Sequence, residues 1–416
     1  MAIDTPARIA VIGAGPIGLE AALYARYLGY EVTTLERGRV CEHVRKWQHV
    51  RMFSTWSQLT SPLGRVAIET QFGPREWPPG DQAPTGREWL DQYLLPLAQT
   101  DLIADSIRTD TTVVSVSRTE WLKTDTHVDR RDWTFQLMLR DGSEEMVVDA
   151  DAVFDASGVL GQPRDLGAGG VPARGEQQTG QRIVRWLPDI LGRDRERFAE
   201  KRVLVIGGGS SAATAVMDLV KLAGEFPGTH VTWVRRRPRS QGGTFAFVAE
   251  SDRPRGMLRF MEALQQMESS DVDALEVWGN SWIESVDHQG DQWEVVVGGE
   301  EQRTWNGDQI VALVGYRPDI ELFRELQVDL SPVWECSERL AGWLELPPPQ
   351  RRVGAEGVGR LDTGEPDFYL LGAKSYGRNS GYFYREGLLQ IRDLFTRLGE
   401  RDDLDVYASF DSTWNQ

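Results

Sequence analysis

Two copies of one strand–loop–helix–strand pattern in a chain of 416 residues predict an α/β fold. Each copy opens with a short apolar strand, turns through a glycine-rich loop into a helix of small residues, and returns in an apolar strand ending on a charged side chain. Between the copies, alternating apolar and polar residues predict a small antiparallel sheet. Together these observations predict two Rossmann-like three-layer domains, the second inserted in the first.

The first copy starts with the strand Ile9–Ile12 and the loop Gly13-Ala14-Gly15-Pro16-Ile17-Gly18. A helix follows from Pro16 to about Leu28, where Gly29 is placed to end it with a left-handed cap. Ala21 and Ala22 give that helix a face small enough to lie close on the sheet. The return strand Glu31–Glu36 ends on a carboxylate, with Arg37 next. The second copy runs from Val203–Ile206 through Gly207-Gly208-Gly209-Ser210-Ser211-Ala212, then a helix from Ser211 to Ala223. Its return strand, His230–Arg235, ends on a guanidinium, with Arg236 next. The interval from Gly207 to Arg235 is the longer of the two, and the excess falls in the turn Gly224–Gly228, where insertion costs little.

Thr111–Ser117 and Asp132–Leu139 read as strands of the small sheet, with Asp141-Gly142 as a turn. Ala152-Val-Phe-Asp155 is an apolar strand entering the small-residue turn Ala156-Ser157-Gly158. A segment rich in glycine, proline and charge, Gly161 to Glu200, reads as the crossing to the second domain. That domain closes near Asp308–Asp319, and the chain returns through Phe368–Arg378 to a terminal helix reaching about Leu398. Leu388, Leu389, Ile391, Leu394, Phe395 and Leu398 give this helix an apolar face. The expected boundaries are 1–165 and 313–416 for the first domain, 166–200 for the connection and 201–312 for the second domain.

Acidic residues outnumber basic ones 63 to 46, a net charge of −17, which argues against nucleic-acid and anionic-membrane partners. No apolar run approaches a membrane span, and Met1 leads almost directly into a strand without a signal-like core, so a cytoplasmic location is expected. Cys41 and Cys336 are the only cysteines, no C-x-x-C occurs, and neither a disulfide framework nor a metal site is expected. The sequence leaves the oligomeric state open, a homodimer included.

Loops of this kind bind pyrophosphate, because unpaired N–H groups and the dipole at a helix start favour negative charge. Gly13 makes the tight turn, Gly15 lets the backbone approach the phosphates, and Gly18 lets helix and strand pack closely. Ala212 stands at the third glycine of the second loop, and Ser210 and Ser211 add hydroxyl donors. Aligned on their strand ends, Thr34-Leu35-Glu36 lies over Trp233-Val234-Arg235. A carboxylate there accepts from the hydroxyls of an unmodified ribose, whereas arginine favours a ribose carrying a 2′-phosphate. FAD is therefore expected in the first cradle and NADPH, rather than NADH, in the second. The run Arg235-Arg236-Arg237 with Arg239 strengthens the second as an anion site in an otherwise acidic chain.

In order along the chain, the first fingerprint, Asp155-Ala-Ser-Gly158, the second fingerprint, Val314-Gly-Tyr-Arg-Pro-Asp319 and Leu371-Gly-Ala-Lys-Ser-Tyr376 resemble the flavoproteins with two dinucleotide-binding domains. Within that group the chain is similar to flavin-containing monooxygenases and their thioredoxin-reductase-like relatives. The resemblance implies that Ser157 and Gly158 form a turn beneath the FAD phosphates and that Gly315 marks a second such turn at the crossover. It implies flavin contacts from Gly372, Lys374 and Ser375, although Ala373-Lys374 replace the acidic residue common after that glycine. It also implies that amides near Ser380 to Tyr382 open the terminal helix beneath the flavin. Trp47 to Trp56 occupies the place where this group lays chain against the flavin ring; packing on the FAD domain is the other reading of that segment. His49, Ser54 and Asn379 are the catalytic candidates, and Met52–Leu59, Phe245–Val248 and Asn379–Phe383 the candidate lining for a small-molecule substrate.

Three functional classes follow. Reduced flavin passes electrons to oxygen and oxygenates a small organic substrate; or it reduces a disulfide, quinone or iron–sulfur partner without oxygen chemistry; or the chain is a nucleotide-binding redox sensor. Two distant cysteines disfavour a dithiol relay. The F-x-G-x-x-x-H motif of the monooxygenases is missing, with Gly175-Glu176 and Trp186-Leu-Pro188 in that region, which disfavours Baeyer–Villiger chemistry. The preferred expectation is an FAD- and NADPH-dependent, monooxygenase-like enzyme.

Overall fold

A computed structural model describes residues 5–236, 253–270, 272–346 and 359–414. The strands in chain order are β1 (Arg8–Ile12), β2 (Glu31–Leu35), β3 (Ile107–Arg108), β4 (Thr111–Arg118), β5 (Phe135–Asp141), β6 (Glu144–Ala150), β7 (Ala152–Asp155), β8 (Arg202–Ile206), β9 (His230–Val234), β10 (Leu275–Trp278), β11 (Trp282–Gln289), β12 (Gln292–Gly298), β13 (Arg303–Gly307), β14 (Gln309–Ala312) and β15 (Phe368–Leu370). The helices of eight residues or more among those described are α1 (Pro16–Tyr27), α2 (Pro62–Phe72), α3 (Ser210–Glu225), α4 (Arg255–Ser269), α5 (Glu338–Glu345) and α6 (Tyr384–Leu398).

The chain divides into two compact units, Met1–Gly161 with Arg317–Gln416, and Gln162–Tyr316. In the first, a parallel sheet of order β15-β7-β1-β2-β3 is the middle layer. Alternation along β1 assigns its two faces. Ile9 and Val11 join α1 and α6 in one core, with Leu19, Leu23, Leu388 and Ile391. Ala10 and Ile12 face the antiparallel sheet β4-β5-β6 through Val116, Phe135 and Leu137. β1 is apolar at every position after Arg8 because both its faces are covered.

The second unit repeats the plan. Its parallel sheet has order β10-β9-β8-β14, and a second antiparallel sheet, β11-β12-β13, covers the face carrying Leu204 and Ile206 through Trp293, Val295 and Val297. Only one antiparallel sheet was expected from the sequence. Residues 166–200, expected as a connection, pack within this unit. Val184 bridges to Val311, Gly167 to Ile283 and Arg174 to Ser285, while Leu166, Ala173 and Ile183 enter the same core. Glu176 is buried and accepts from the amides of Leu166 (3.0 Å) and Ala173 (2.8 Å) and from Arg185 Nη2 (2.6 Å), pinning the segment.

Among the described residues no helix is long and apolar enough to cross a membrane, and no group of three or more His, Cys, Asp or Glu is placed to hold a metal ion.

Candidate functional site

The same hydrogen bond sets both glycine loops. Gly13 N donates to Leu35 O (2.7 Å), and Gly207 N donates to Val234 O (3.0 Å). Each tie holds the loop to the last residue of the return strand, directly before Glu36 in one unit and Arg235 in the other. The reversal of charge thus falls on equivalent positions. A second pair matches as well: Ala156 N donates to Ile12 O (3.0 Å) and Leu313 N to Ile206 O (2.7 Å) where the neighbouring strand leaves each sheet.

Two glycines of the first loop show what it is built for. A methyl on Gly18 would be driven into the Gly13 carbonyl, so α1 can approach the loop only without a side chain there. A methyl on Gly15 would meet no atom within 4 Å and would instead project into open space before the helix. That open space lies at the start of α1, where Gly15 supplies no side-chain cap and Pro16 occupies the first turn. Gly209 likewise begins α3 without a side-chain cap and with open space at its missing Cβ. Ser210 and Ser211 form the first turn of α3, and the buried Ala212 fills the third-glycine position. Two helices of this length without side-chain caps, each preceded by a glycine whose missing Cβ would project over the helix start, fit a dinucleotide pyrophosphate.

Glu36 folds back onto its own loop, accepting from Ala14 N (2.9 Å) and Gly38 N (2.9 Å). Both oxygens are thereby oriented while keeping lone pairs for ribose hydroxyls. The Arg37 guanidinium lies against Gly161. Arg235 is held on three sides: Nη1 donates to Glu268 Oε1 (2.6 Å), the guanidinium carbon lies 4.7 Å from the Trp233 ring centroid, and its Cβ sits beside Gly208. Arg236 is exposed. Arg237, Arg239 and Phe245–Val248 lie outside the described residues.

At the end of β7, Asp155 accepts from Ser157 Oγ (2.6 Å) and Ser157 N (3.1 Å), and its other oxygen lies 2.6 Å from Lys374 Nζ. Lys374 also donates to Ser157 Oγ (2.9 Å), and both charged side chains are fully buried. Local sequence gives no sign of this pairing, because Asp155 ends β7 and Lys374 follows β15, the strand beside it. Gly372 itself packs on Ile17, its amide donates to Gln390 Oε1 (2.9 Å), and Gln390 Nε2 donates to Ser375 Oγ (2.8 Å). Gly158 and Gly315 both take positive φ, as tight turns require. Arg164 N donates to Gly315 O (3.0 Å).

The terminal helix starts two residues later than Tyr382, at Tyr384 with Phe383 as its cap residue. Asn379 causes the delay: its Oδ1 accepts from Gly381 N (2.8 Å), a local turn that competes with helix. Tyr382 instead packs edge-on to Tyr376, with a buried hydroxyl. His49 and Ser54 lie in the Trp47–Trp56 segment, which is tied by Met52 N to Pro84 O and Trp56 N to Gln82 O (both 2.8 Å). His49 Nε2 is buried without a hydrogen-bond partner among the described residues, and no hydrogen bond joins His49, Ser54 and Asn379. Cys41 and Cys336 are both buried, and burial raises both thiols, Cys336 to about 12. Cys41 lies under the first loop, donating from N to Ala14 O at 3.0 Å.

Residues 10–332 match the family described as pyridine nucleotide-disulphide oxidoreductase. A search of curated proteins found no match. Among solved structures, bacillithiol disulfide reductase from Bacillus cereus is 16% identical, with 95% of this chain and 99% of that one covered and a TM-score of 0.66. Ornithine N-hydroxylase from Kutzneria sp. 744, solved with reduced FAD, NADP+ and L-ornithine, is 15% identical over 95% and 100%, with a TM-score of 0.62. The FAD-bound cadaverine monooxygenase from Erwinia amylovora is 13% identical over 97% and 96%, with a TM-score of 0.65. At these identities the likeness is one of fold.

Proposed function

The chain belongs to the pyridine nucleotide-disulphide oxidoreductase family, and from that premise we propose that it is an FAD-dependent oxidoreductase reduced by NADPH, monooxygenase-like, acting on a small organic substrate in the cytoplasm. The observation that carries the cofactor assignment is the opposition of Glu36 and Arg235 at equivalent loop positions. Gly13, Ala14, Gly15, Gly18 and Glu36, with Ser157 and Gly158, would hold the FAD pyrophosphate and ribose. Gly207, Gly209, Ser210, Ser211 and Arg235 would hold the NADPH phosphates. FAD, when bound, supplies an acceptor for hydride and a donor to oxygen.

Two buried thiols raised by burial disfavour a dithiol relay, which needs an accessible thiolate, and leave oxygen open as the electron acceptor. Amine monooxygenases of the same fold support that acceptor. A second reading, direct reduction of a disulfide, quinone or iron–sulfur partner, is favoured by the family description and by the likeness to bacillithiol disulfide reductase. Small aliphatic amines and low-molecular-weight disulfides are the substrates to compare. With NADPH and 18O2, transfer of one labelled oxygen atom to the amine, giving an N-hydroxylated product while the other atom leaves as water, is the expected result. NADPH-dependent cleavage of a disulfide without oxygen, together with reoxidation in air that releases all electrons as hydrogen peroxide, contradicts it.

A further inference from the structure

The arginine expected to receive the 2′-phosphate already has an anion. Arg235 and Glu268 are in contact at 2.6 Å, and their side chains are only 17% and 15% exposed. Glu268 lies in the last turn of α4, whereas Arg235 follows β9, so the pair joins two elements of the second unit. The Trp233 ring covers the guanidinium at 4.7 Å, and Arg235 Nε is buried with no hydrogen-bond partner among the described residues. Stacking and ion pairing thus hold the fork in one orientation beside Gly208, with the buried Nε donor left unspent among the described residues.

We propose that Glu268 is a specificity-determining residue for the nicotinamide nucleotide, competing with the 2′-phosphate for the Arg235 guanidinium. The inference rests on the NADPH reading above. A 2′-phosphate carries more charge than a carboxylate and can displace it, but the displaced Glu268 then faces the phosphate as a like charge. An unphosphorylated ribose neither needs the guanidinium nor meets that repulsion. Glu268 therefore narrows the margin between NADP+ and NAD+ and lets the site accept both, an effect no local sequence signal announces.

The test is calorimetric binding of NADP+ and NAD+ to the FAD-loaded protein, unaltered and as Glu268→Gln, Arg235→Gln and the double variant. The oxidised nucleotides are used so that no hydride is transferred. Glu268→Gln should tighten NADP+ about five- to tenfold, the range of a partly buried charge pair, and leave NAD+ within about twofold. The gain should vanish when Arg235 is also replaced. An NADP+ affinity that stays constant or weakens in Glu268→Gln, while Arg235→Gln still loses NADP+, overturns the competition and leaves the NADPH reading standing. A gain that persists without Arg235 overturns it too. Indifference of the unaltered protein and of Arg235→Gln to the 2′-phosphate removes the NADPH reading, and the competition with it. Glu268→Ala provides the same comparison should the glutamine variant fold poorly.

Discussion

Gly15 and Gly18 stand three positions apart in one loop, yet enlarging each has a different consequence. Gly18→Ala forces a methyl into the Gly13 carbonyl and should separate α1 from its strand, destabilising the protein by about 1–3 kcal/mol, as overpacked positions do. Gly15→Ala finds free space, so the fold should survive, but the methyl occupies the cradle in front of α1 and FAD should no longer be retained. Thermal unfolding and the flavin content of the purified variants separate the two effects; equal flavin retention in both would contradict the cradle. Such residues were legible from sequence because a helix start that must stay uncapped leaves a fixed spacing of glycines. Asp155–Lys374 and Arg235–Glu268 were not legible. Their members come from different elements, and local sequence carries no record of which side chains the fold brings together.

Elements followed the same division. β1, α1 and β2, and their counterparts β8, α3 and β9, stand close to where apolar runs and glycines put them. The sheet β11-β12-β13 was missed although β11 and β12 flank a glycine turn at Gly290; a bulge between Ile283 and Ser285 does not account for this, since β4 carries one between Val113 and Ser115 and was read. Residues 166–200 looked like a connection because isolated bridges leave no periodic pattern. Helix α1 holds a further surprise in Glu20, fully buried, which accepts from Ser61 Oγ (2.8 Å), Tyr384 Oη (3.0 Å) and Tyr93 Oη. This cluster ties α1 to the starts of α2 and α6. Burial raises the Glu20 carboxyl above its ordinary 4.5, outweighing the hydroxyl donors that lower it. As pH rises past the unfolded value, the unfolded chain loses this proton while the folded one keeps it. Stability should therefore fall by about 1.4 kcal/mol per pH unit until the buried carboxyl ionises. Glu20→Gln cannot ionise, so its melting temperature relative to the unaltered protein should be higher at pH 8 than at pH 5. A difference independent of pH would mean that the carboxyl is already ionised in the folded protein.

On the scale of the whole molecule, one plan is used twice: a parallel sheet, helices on one face, an antiparallel sheet on the other, and a glycine loop at the strand ends. What differs is the charge that follows the return strand, Glu36 in one copy and Arg235 in the other, and the proposed assignment of FAD to the first and NADPH to the second rests on that difference. The duplication could be read from sequence because each copy is local; that residues 166–200 pack within the second unit could not, because it depends on which segments meet. Anaerobic mixing of the purified, flavin-loaded protein with NADPH or NADH, followed by the visible absorption of the flavin, tests this assignment most directly. Rapid bleaching, with NADPH the more effective donor at low concentration, is the predicted result. Protein that takes up no flavin, or whose flavin stays yellow with both nucleotides, would contradict it.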